Sequence, residues 1–255
     1  LLSQKQIIAL EKYNINFNNW LKNTGEPPAV LDTSKINSSK KSIQQYYKNL
    51  GYYNVKVSSD PLYKKTKKVV LKYIIYPGKQ YEIESIKTNI DSEKITEIYN
   101  SNTKDSEIKK GDVFEINKFE KERERLFTLF RNNGIYNFQQ NSIQFTAAID
   151  STGKDLKIPV TIEIQDLQQR VNEVSSKIPY QSFNIKEIEV FIDNLNSKIN
   201  SAQYTDSLKF NNITLFSKGK LRYSPQTITS GIAIKKNQPY SDLDRTLTYR
   251  YFTNL

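Results

Sequence analysis

The run Glu120-Lys121-Glu122-Arg123-Glu124-Arg125 brings three carboxylates into one short stretch. Closely spaced carboxylates are the raw material of paired acid–base catalysis. On a helix, however, each of these acids meets a cation three or four residues away, so the run reads as an ion-paired face. The usual general base at neutral pH is also missing. The chain has no Cys and no His. That removes thiolate nucleophiles, Ser-His-Asp and Cys-His pairs, imidazole and zinc–thiolate metal sites, and any disulfide framework. No P-loop or dinucleotide-type glycine motif occurs. The expectation is therefore a non-enzyme with no catalytic residue, no cofactor and no metal ligand.

Binding chemistry remains. The chain carries 38 basic and 27 acidic residues, a net charge of +11. Only seven of the basic residues are Arg. Nucleic-acid readers favour Arg for bidentate contacts, so a lysine-dominated excess reads as a solvated surface and no nucleic acid is expected as partner. Lys64 to Lys68 reads as a charged hairpin turn that discourages edge aggregation. The tyrosines at 46, 47, 52, 53, 73 and 76 read as core and rim packing, with each ring hidden and each hydroxyl wet.

These residues sit in a chain of 255 residues, 37% hydrophobic and 25% charged. That length allows one large domain or two to three small ones. No run of 18 apolar residues exists, so no membrane helix is expected. The start is not a signal peptide. With no Met anywhere, the chain reads as a piece of a longer product.

Gly and Pro punctuate the periodic segments. A helix is predicted from near Ser3 to Asn23, broken at Gly25-Glu26-Pro27-Pro28. A second runs from Ser38 to Leu50, with Gly51 as a left-handed cap. Tyr53, Val55 and Val57 alternate as a strand, as do Val69, Leu71, Tyr73 and Ile75, and the two should form an antiparallel hairpin. A strand from Tyr81 to Lys87, a helix from Ser92 to Asn100 and a longer helix capped by Asn117 come next, the last stopped by Gly134. Strands then cover Asn141 to Ile149 and Ile158 to Ile164, with a bulge expected between Phe138 and Ile143.

The order repeats. Ile43-x-x-Tyr46-Tyr47-Lys48-Asn49-Leu50-Gly51-Tyr52-Tyr53-Asn54 matches Leu126 to Asn137 at an offset of 83 residues, and the last strands match at an offset of 89. A third copy opens at Phe183, carries an extra strand candidate from Phe210 to Phe216, and places Ser224 as N-cap, Pro225 at the first helical position and Ser241 in a capping-box-like start. The fold class expected is α+β: tandem small two-layer domains of strand-helix-helix-strand-strand type. The boundaries are 1–79 for the first unit, whose leading strand is missing or divergent, 80–166 for the second, 167–182 for a polar linker and 183–255 for the third. This last stops before its final two strands.

The x-Asn-x-Gly-Tyr/Ile-Tyr-Asn turn (Lys48 to Asn54, Arg131 to Asn137) and the Pro77-Gly78-x-x-Tyr81-x-Ile83-x-x-Ile86 junction resemble polypeptide-transport-associated (POTRA) domains. These precede the membrane barrel of outer-membrane assembly and two-partner secretion proteins. Asn19-Trp20-Leu21-Lys22 with Gly25-Glu26-Pro27-Pro28, and Ser217 to Tyr223, are similar to lipoprotein-type translocation and assembly module proteins of Bacteroidetes-type bacteria. The resemblance implies a site at the periplasmic face of the outer membrane. It implies as partners unfolded outer-membrane proteins, a periplasm-spanning or inner-membrane protein, and a C-terminal barrel of the same chain. Any lipid-bearing Cys would lie upstream.

The mechanism expected is β-augmentation, in which a strand edge accepts an extended client through backbone hydrogen bonds. The edge residues are Tyr53, Val55 and Val57 in the first unit and Ile143, Phe145 and Ala147 in the second. A basic nucleic-acid-binding protein and a passive structural spacer are the alternatives. The four residues 77–80 should leave the first pair of units rigid, whereas 166–182 should act as a hinge.

Overall fold

The computed structural model describes residues 3–24, 31–65, 68–150, 152, 154–171, 174–192, 204, 206–218, 221 and 223–254. The break expected at Gly25 to Pro28 and the centre of the Lys64 to Lys68 turn lie outside them. The chain divides into two compact units, residues 1–45 with 56–76 and residues 46–55 with 77–255.

The first unit holds helix α1 (Gln4–Thr24), most of helix α2 (Thr33–Asn49) and a hairpin of β1 (Lys56–Tyr63) and β2 (Val69–Tyr76). Helix α2 starts five residues before the expected Ser38. Asp32 explains this, because its carboxylate accepts the Ser34 N–H at 2.8 Å and its carbonyl accepts the Ile36 N–H at 3.0 Å. The hairpin is antiparallel, from Lys56↔Tyr76 to Tyr63↔Val69. Val69, Leu71, Tyr73 and Ile75 share its half-buried face.

The second unit starts with β3 (Glu82–Ile90), α3 (Glu93–Ser101), α4 (Ile116–Asn132), β4 (Ile143–Ala147) and β5 (Lys157–Ile164). The sheet order is β3-β5-β4, parallel then antiparallel. The architecture is α+β, with small sheets and helices in place of one large sheet. On β5, Ile158, Val160, Ile162 and Ile164 are all buried while the residues between them are not. Ile95 and Tyr99 of α3 and Phe119, Leu126 and Phe130 of α4 close over that same face. Asn117 is not the cap of α4, which begins at Ile116 after Glu115. The bulge expected before Ile143 is instead a short 3-10 turn at Gln140–Ser142. The register shift falls between Ile83 and Ser85 on β3.

Glu122 stands at a core position of α4 and is fully buried. Its carboxylate accepts from Arg125 Nε and Nη2 at 2.8 and 2.7 Å, from Ser106 Oγ at 3.1 Å and from the Glu107 N–H at 2.8 Å. A buried carboxylate is tolerable only when satisfied in this way. The bond to Glu122 outweighs burial and raises the Arg125 pKa. Glu120 pairs with Arg123, as expected of a surface ion pair.

The segment expected as a polar linker forms a hairpin, β6 (Leu167–Val171) against β7 (Val174–Ile178). Tyr180 comes just after it and is buried, its ring 4.8 Å from that of Phe138 and its hydroxyl 2.8 Å from Ser142 Oγ. The Tyr180 N–H also donates to Ser92 Oγ at 2.8 Å. The expected linker is therefore corrected to a paired hairpin, and one aromatic residue, Tyr180, inconspicuous in a polar stretch, packs against the second repeat's core.

The third repeat contains β8 (Glu189–Ile192), β9 (Asp206–Phe210), β10 (Ile213–Ser217), α5 (Pro225–Ser230) and α6 (Asp242–Thr253), with sheet order β8-β10-β9. The single strand expected from Phe210 to Phe216 is two strands. Asn211 and Asn212, at φ of 49° and 62°, form a two-residue turn between them. The hairpin gives this sheet the parallel–antiparallel order of the second repeat's sheet, although here it precedes the helices. Ser224 and Ser241 cap α5 and α6 as expected, accepting from the Thr227 and Asp244 N–H groups.

Replacing Glu122 with Ala should lower unfolding stability by about 3 kcal/mol, since it leaves a partly buried guanidinium without its carboxylate. Urea titration of the 255-residue chain would measure this. A loss under about 1 kcal/mol would mean the pair is dispensable.

Candidate functional site: strand edges and the junction beside them

The expected site residues fall into two groups. Tyr53 and Val55 precede β1 and lie on no strand edge. Val55 is buried, and the Tyr53 ring lies 5.5 and 5.8 Å from those of Tyr81 and Phe114. Packing in the second unit holds them, so these two are corrected from edge to core. Val57 is on β1, facing Ile75. Ile143, Phe145 and Ala147 all lie on β4, an outer strand of its sheet.

Backbone direction on β4 is set by one bond. The Gln165 N–H donates to the Ser142 carbonyl at 3.0 Å, which makes the adjacent Ile143↔Ile164 a non-hydrogen-bonded pair. Alternation then directs the Gln144 and Thr146 peptides to β5. The Ile143, Phe145 and Ala147 peptides point to the open side. The Ile143 N–H donates back to the Gln140 carbonyl. The outward donors are thus Phe145 and Ala147, with three outward carbonyls. The Phe145 ring packs inward, 5.3 Å from Phe119. The candidate edge is therefore a row of peptide groups, with the Phe145 side chain anchoring the strand to the core. On the opposite outer strand, Glu82, Glu84, Lys87 and the register shift make β3 a poor acceptor.

Beside these strands lies a contact made twice. The Tyr81 N–H donates to the Gly51 carbonyl at 2.9 Å, and the Phe183 N–H donates to the Gly134 carbonyl at 2.9 Å. In return, the Tyr81 carbonyl accepts from Phe114 and the Phe183 carbonyl from Tyr240, both at 2.8 Å. Gly51 and Gly134 have φ of 90° and 95°. A Cβ at Gly134 would meet Ser182 Oγ at 2.0 Å, and one at Gly51 would meet the Phe114 carbonyl oxygen at 3.0 Å. Tyr81 is completely buried, and its hydroxyl accepts from Asn54 Nδ2 and donates to the Asp150 carbonyl, each at 2.8 Å.

Around the second copy, Arg131 at the end of α4 reaches Asp242 at 2.8 Å and the Tyr240 hydroxyl at 3.3 Å, and donates to the Tyr136 carbonyl. The Leu243 N–H donates to Asn132 Oδ1 at 2.9 Å. Burial raises the Asp242 pKa, but bonds from Tyr240, Arg131 and Arg245 and the Arg131 charge outweigh it and hold the carboxyl at about 2. A depressed carboxyl contributes stability above its unfolded value, 3.8, and loses it as pH falls through the folded value. This network is invisible in the sequence because Arg131 lies more than a hundred residues from Tyr240 and Asp242.

Gly134→Ala should cost more than Gly111→Ala. Both positions have positive φ, but a Cβ at Gly111 meets nothing within 4 Å. Gly111→Ala should lose about 1 kcal/mol from backbone strain alone, measurable in urea, and Gly134→Ala clearly more. Separately, spin labels at Gln144 and Tyr249 should give a narrow distance distribution at pH 7. It should broaden in Arg131→Ala, and in the wild type between about pH 4 and 2. A distribution unchanged by either would remove Arg131–Asp242 as the tie.

Residues 16–78 match the POTRA family profile, described as surface antigen variable number repeat. No curated protein matches the chain. Among solved structures, the chain is similar to POTRA domains 3–5 of BamA from Haemophilus influenzae. The identity is 12% and the TM-score 0.37, covering 86% of this chain and 68% of that one. It is also similar to BamA from Haemophilus ducreyi lacking POTRA domains 1–3, at 13% identity and TM-score 0.33, over 59% of this chain and 27% of that one. A further likeness is to the N-terminal domain of Omp85 from the thermophilic cyanobacterium Thermosynechococcus elongatus, at 12% identity and TM-score 0.25, over 91% and 75%. The family match falls on the stretch read from sequence as the first of three repeats.

Proposed function

We propose that the chain forms periplasmic modules of an outer-membrane protein assembly or translocation factor. The modules receive unfolded outer-membrane polypeptides by strand augmentation and dock partner proteins. The observation that carries this reading is the POTRA match over residues 16–78, in a chain whose glycine turn recurs 83 residues later. The open peptide row of β4 supports the mode of binding. Backbone hydrogen bonds ignore side-chain identity, which suits a receptor of many clients. The finer kinship, to lipoprotein-type translocation and assembly modules, rests on Asn19 to Lys22 and Ser217 to Tyr223. The reading places the chain at the periplasmic face of the outer membrane, ahead of a barrel of its own chain. Its partner would be a periplasm-spanning or inner-membrane protein.

No helix among the described residues is long and apolar enough to cross a membrane. Of the carboxylates in the Glu120 to Arg125 run, Glu122 is consumed by Arg125 and Glu120 by Arg123.

Ala147→Pro tests the proposal. It removes an outward donor while the ladder to β5 stays intact, as Pro is tolerated on edges. Binding of a fluorescent peptide from an unfolded barrel strand should weaken roughly tenfold, about the loss of one backbone bond plus the ring's clash. Gln144→Pro, which breaks the ladder itself, should unfold the strand and serves as the contrast. Unchanged peptide binding by a folded Ala147→Pro would reject this edge. Steep salt dependence of binding to nucleic acid, with no peptide binding, would favour the basic nucleic-acid reading. Binding of neither would leave a passive spacer.

A further inference from the structure

We infer that the second repeat carries a binding site for an uncharged carbohydrate, in the polar cleft where the start of β4 meets the end of β5. The site uses side-chain amides, is separate from the outward peptide row of β4, and does not depend on the function proposed above.

Its first sign is compositional. Gln139-Gln140-Asn141-Ser142-Ile143-Gln144 and Gln165-Asp166-Leu167-Gln168-Gln169 hold seven side-chain amides in eleven residues, and six of the chain's fifteen glutamines. The Ile143↔Ile164 pairing and the Gln165 N–H bond to the Ser142 carbonyl at 3.0 Å bring the two segments together. The fold does not call for these amides. Continuing the 89-residue offset, the first repeat has Tyr76, Pro77 and Lys79 where the second has Gln165, Asp166 and Gln168.

Between the segments lies a cleft of about 390 Å³, within the range of about 300–1,000 Å³ usual for small-ligand sites. Gln139, Asn141, Ser142 and Gln144 line it from the first segment, and Gln165, Asp166 and Gln168 from the second. Among the described residues, no apolar side chain and no cation lines it. Gln144 follows buried Ile143 and Gln165 follows buried Ile164, so both point to the face of the sheet away from α3 and α4.

Part of the lining is held rigidly. Ser142 is buried, and its Oγ lies 2.8 Å from the hydroxyl of buried Tyr180. The Tyr180 N–H donates to Ser92 Oγ at 2.8 Å, and Ser92 Oγ donates to Asp166 Oδ1. One chain of hydrogen bonds thus fixes both Ser142 and Asp166, and it leaves Asp166 Oδ2 without a partner among the described residues. The side-chain amides of Gln139, Asn141, Gln144, Gln165 and Gln168 also make no hydrogen bond among the described residues. Each therefore offers two N–H donors and a carbonyl acceptor.

That inventory selects the ligand. A sugar hydroxyl both donates and accepts, as an amide does, so a set of amides matches a polyhydroxylated ring. Asp166 Oδ2 only accepts, which suits a hydroxyl donating to it. Phosphate, sulfate and carboxylate ligands would meet this carboxylate with no cation to offset it. An extended apolar peptide needs pockets for its alternate side chains, and this cleft has no apolar wall to supply them.

The experiment is an NMR titration of the isotope-labelled 255-residue chain with three probes: the N-acetylglucosamine trimer, maltotriose and trigalacturonate. At least one of the two neutral trisaccharides should shift the side-chain amide signals of Gln139, Gln144 and Gln165. Preference for the first would show that acetamido groups are read, and preference for the second that hydroxyls suffice; either supports the site. Trigalacturonate should bind at least about tenfold more weakly than the better neutral probe. Gln144→Leu and Gln165→Leu should each weaken binding roughly tenfold, with distant backbone signals unchanged. Asp166→Asn keeps an acceptor for Ser92 and should bring trigalacturonate to within about threefold of the neutral probe. If neither neutral trisaccharide shifts these amides at about 10 mM, the inference is overturned. It is overturned equally if both Leu variants bind as the wild type does, or if trigalacturonate binds the wild type as well as the neutral sugars do. A barrel-strand peptide that shifts these amides when the sugars do not would also overturn it, while leaving the proposed function standing.

Discussion

The contact on which the rest of this structure depends is a single peptide hydrogen bond, made twice. A glycine that ends a helix turns its carbonyl toward the aromatic residue that opens the next repeat, Gly51 to Tyr81 and Gly134 to Phe183. Each glycine has a positive φ that a side chain resists, and each lies where a Cβ would press on Phe114 or Ser182 of the facing segment. The aromatic residue it receives is then fixed by a second bond from further along, Phe114 or Tyr240. Two peptides thus set where the next sheet starts. Fully buried Tyr81 shows the result, a side chain at the origin of a core assembled from both sides of the turn.

From that start the second repeat builds by alternation. One bond, Gln165 to Ser142, sets which peptides of β4 bind the sheet and which face outward. The same residues therefore anchor the strand through their side chains and present its edge through their backbone. This explains how a strand edge can be both well held and chemically open. On the proposed reading the groups that would receive a client are amides and carbonyls, which is why so little side-chain chemistry is called for there.

Much of this was legible in the sequence. The two glycine turns, the amphipathic helices, the alternating strands and the caps at Ser224 and Ser241 are local, and local signals carry propensity and period directly. Ile143, Phe145 and Ala147 were legible as strand residues because their spacing is two. Tyr53 and Val55 share that spacing but belong to the core, since an alternating pair looks the same in a strand or in a loop that packs aromatic residues. What escaped was long-range or small. Tyr180 ties down a polar segment by one ring, Glu122 is buried because Arg125, Ser106 and Glu107 converge on it, and Asn211-Asn212 splits one apparent strand into two. Each depends on partners or on a backbone state that composition does not reveal.

The central claim of the proposed function is that a client would be recognised through peptide groups and not through side chains. Its most direct test compares affinities for several unfolded barrel-strand peptides of unrelated sequence, each in a native form and in a form N-methylated at alternate residues. Recognition by the backbone predicts similar affinities across the native peptides and loss of binding when the methylated residues face the edge. Affinities that vary widely with sequence and ignore N-methylation would contradict the account.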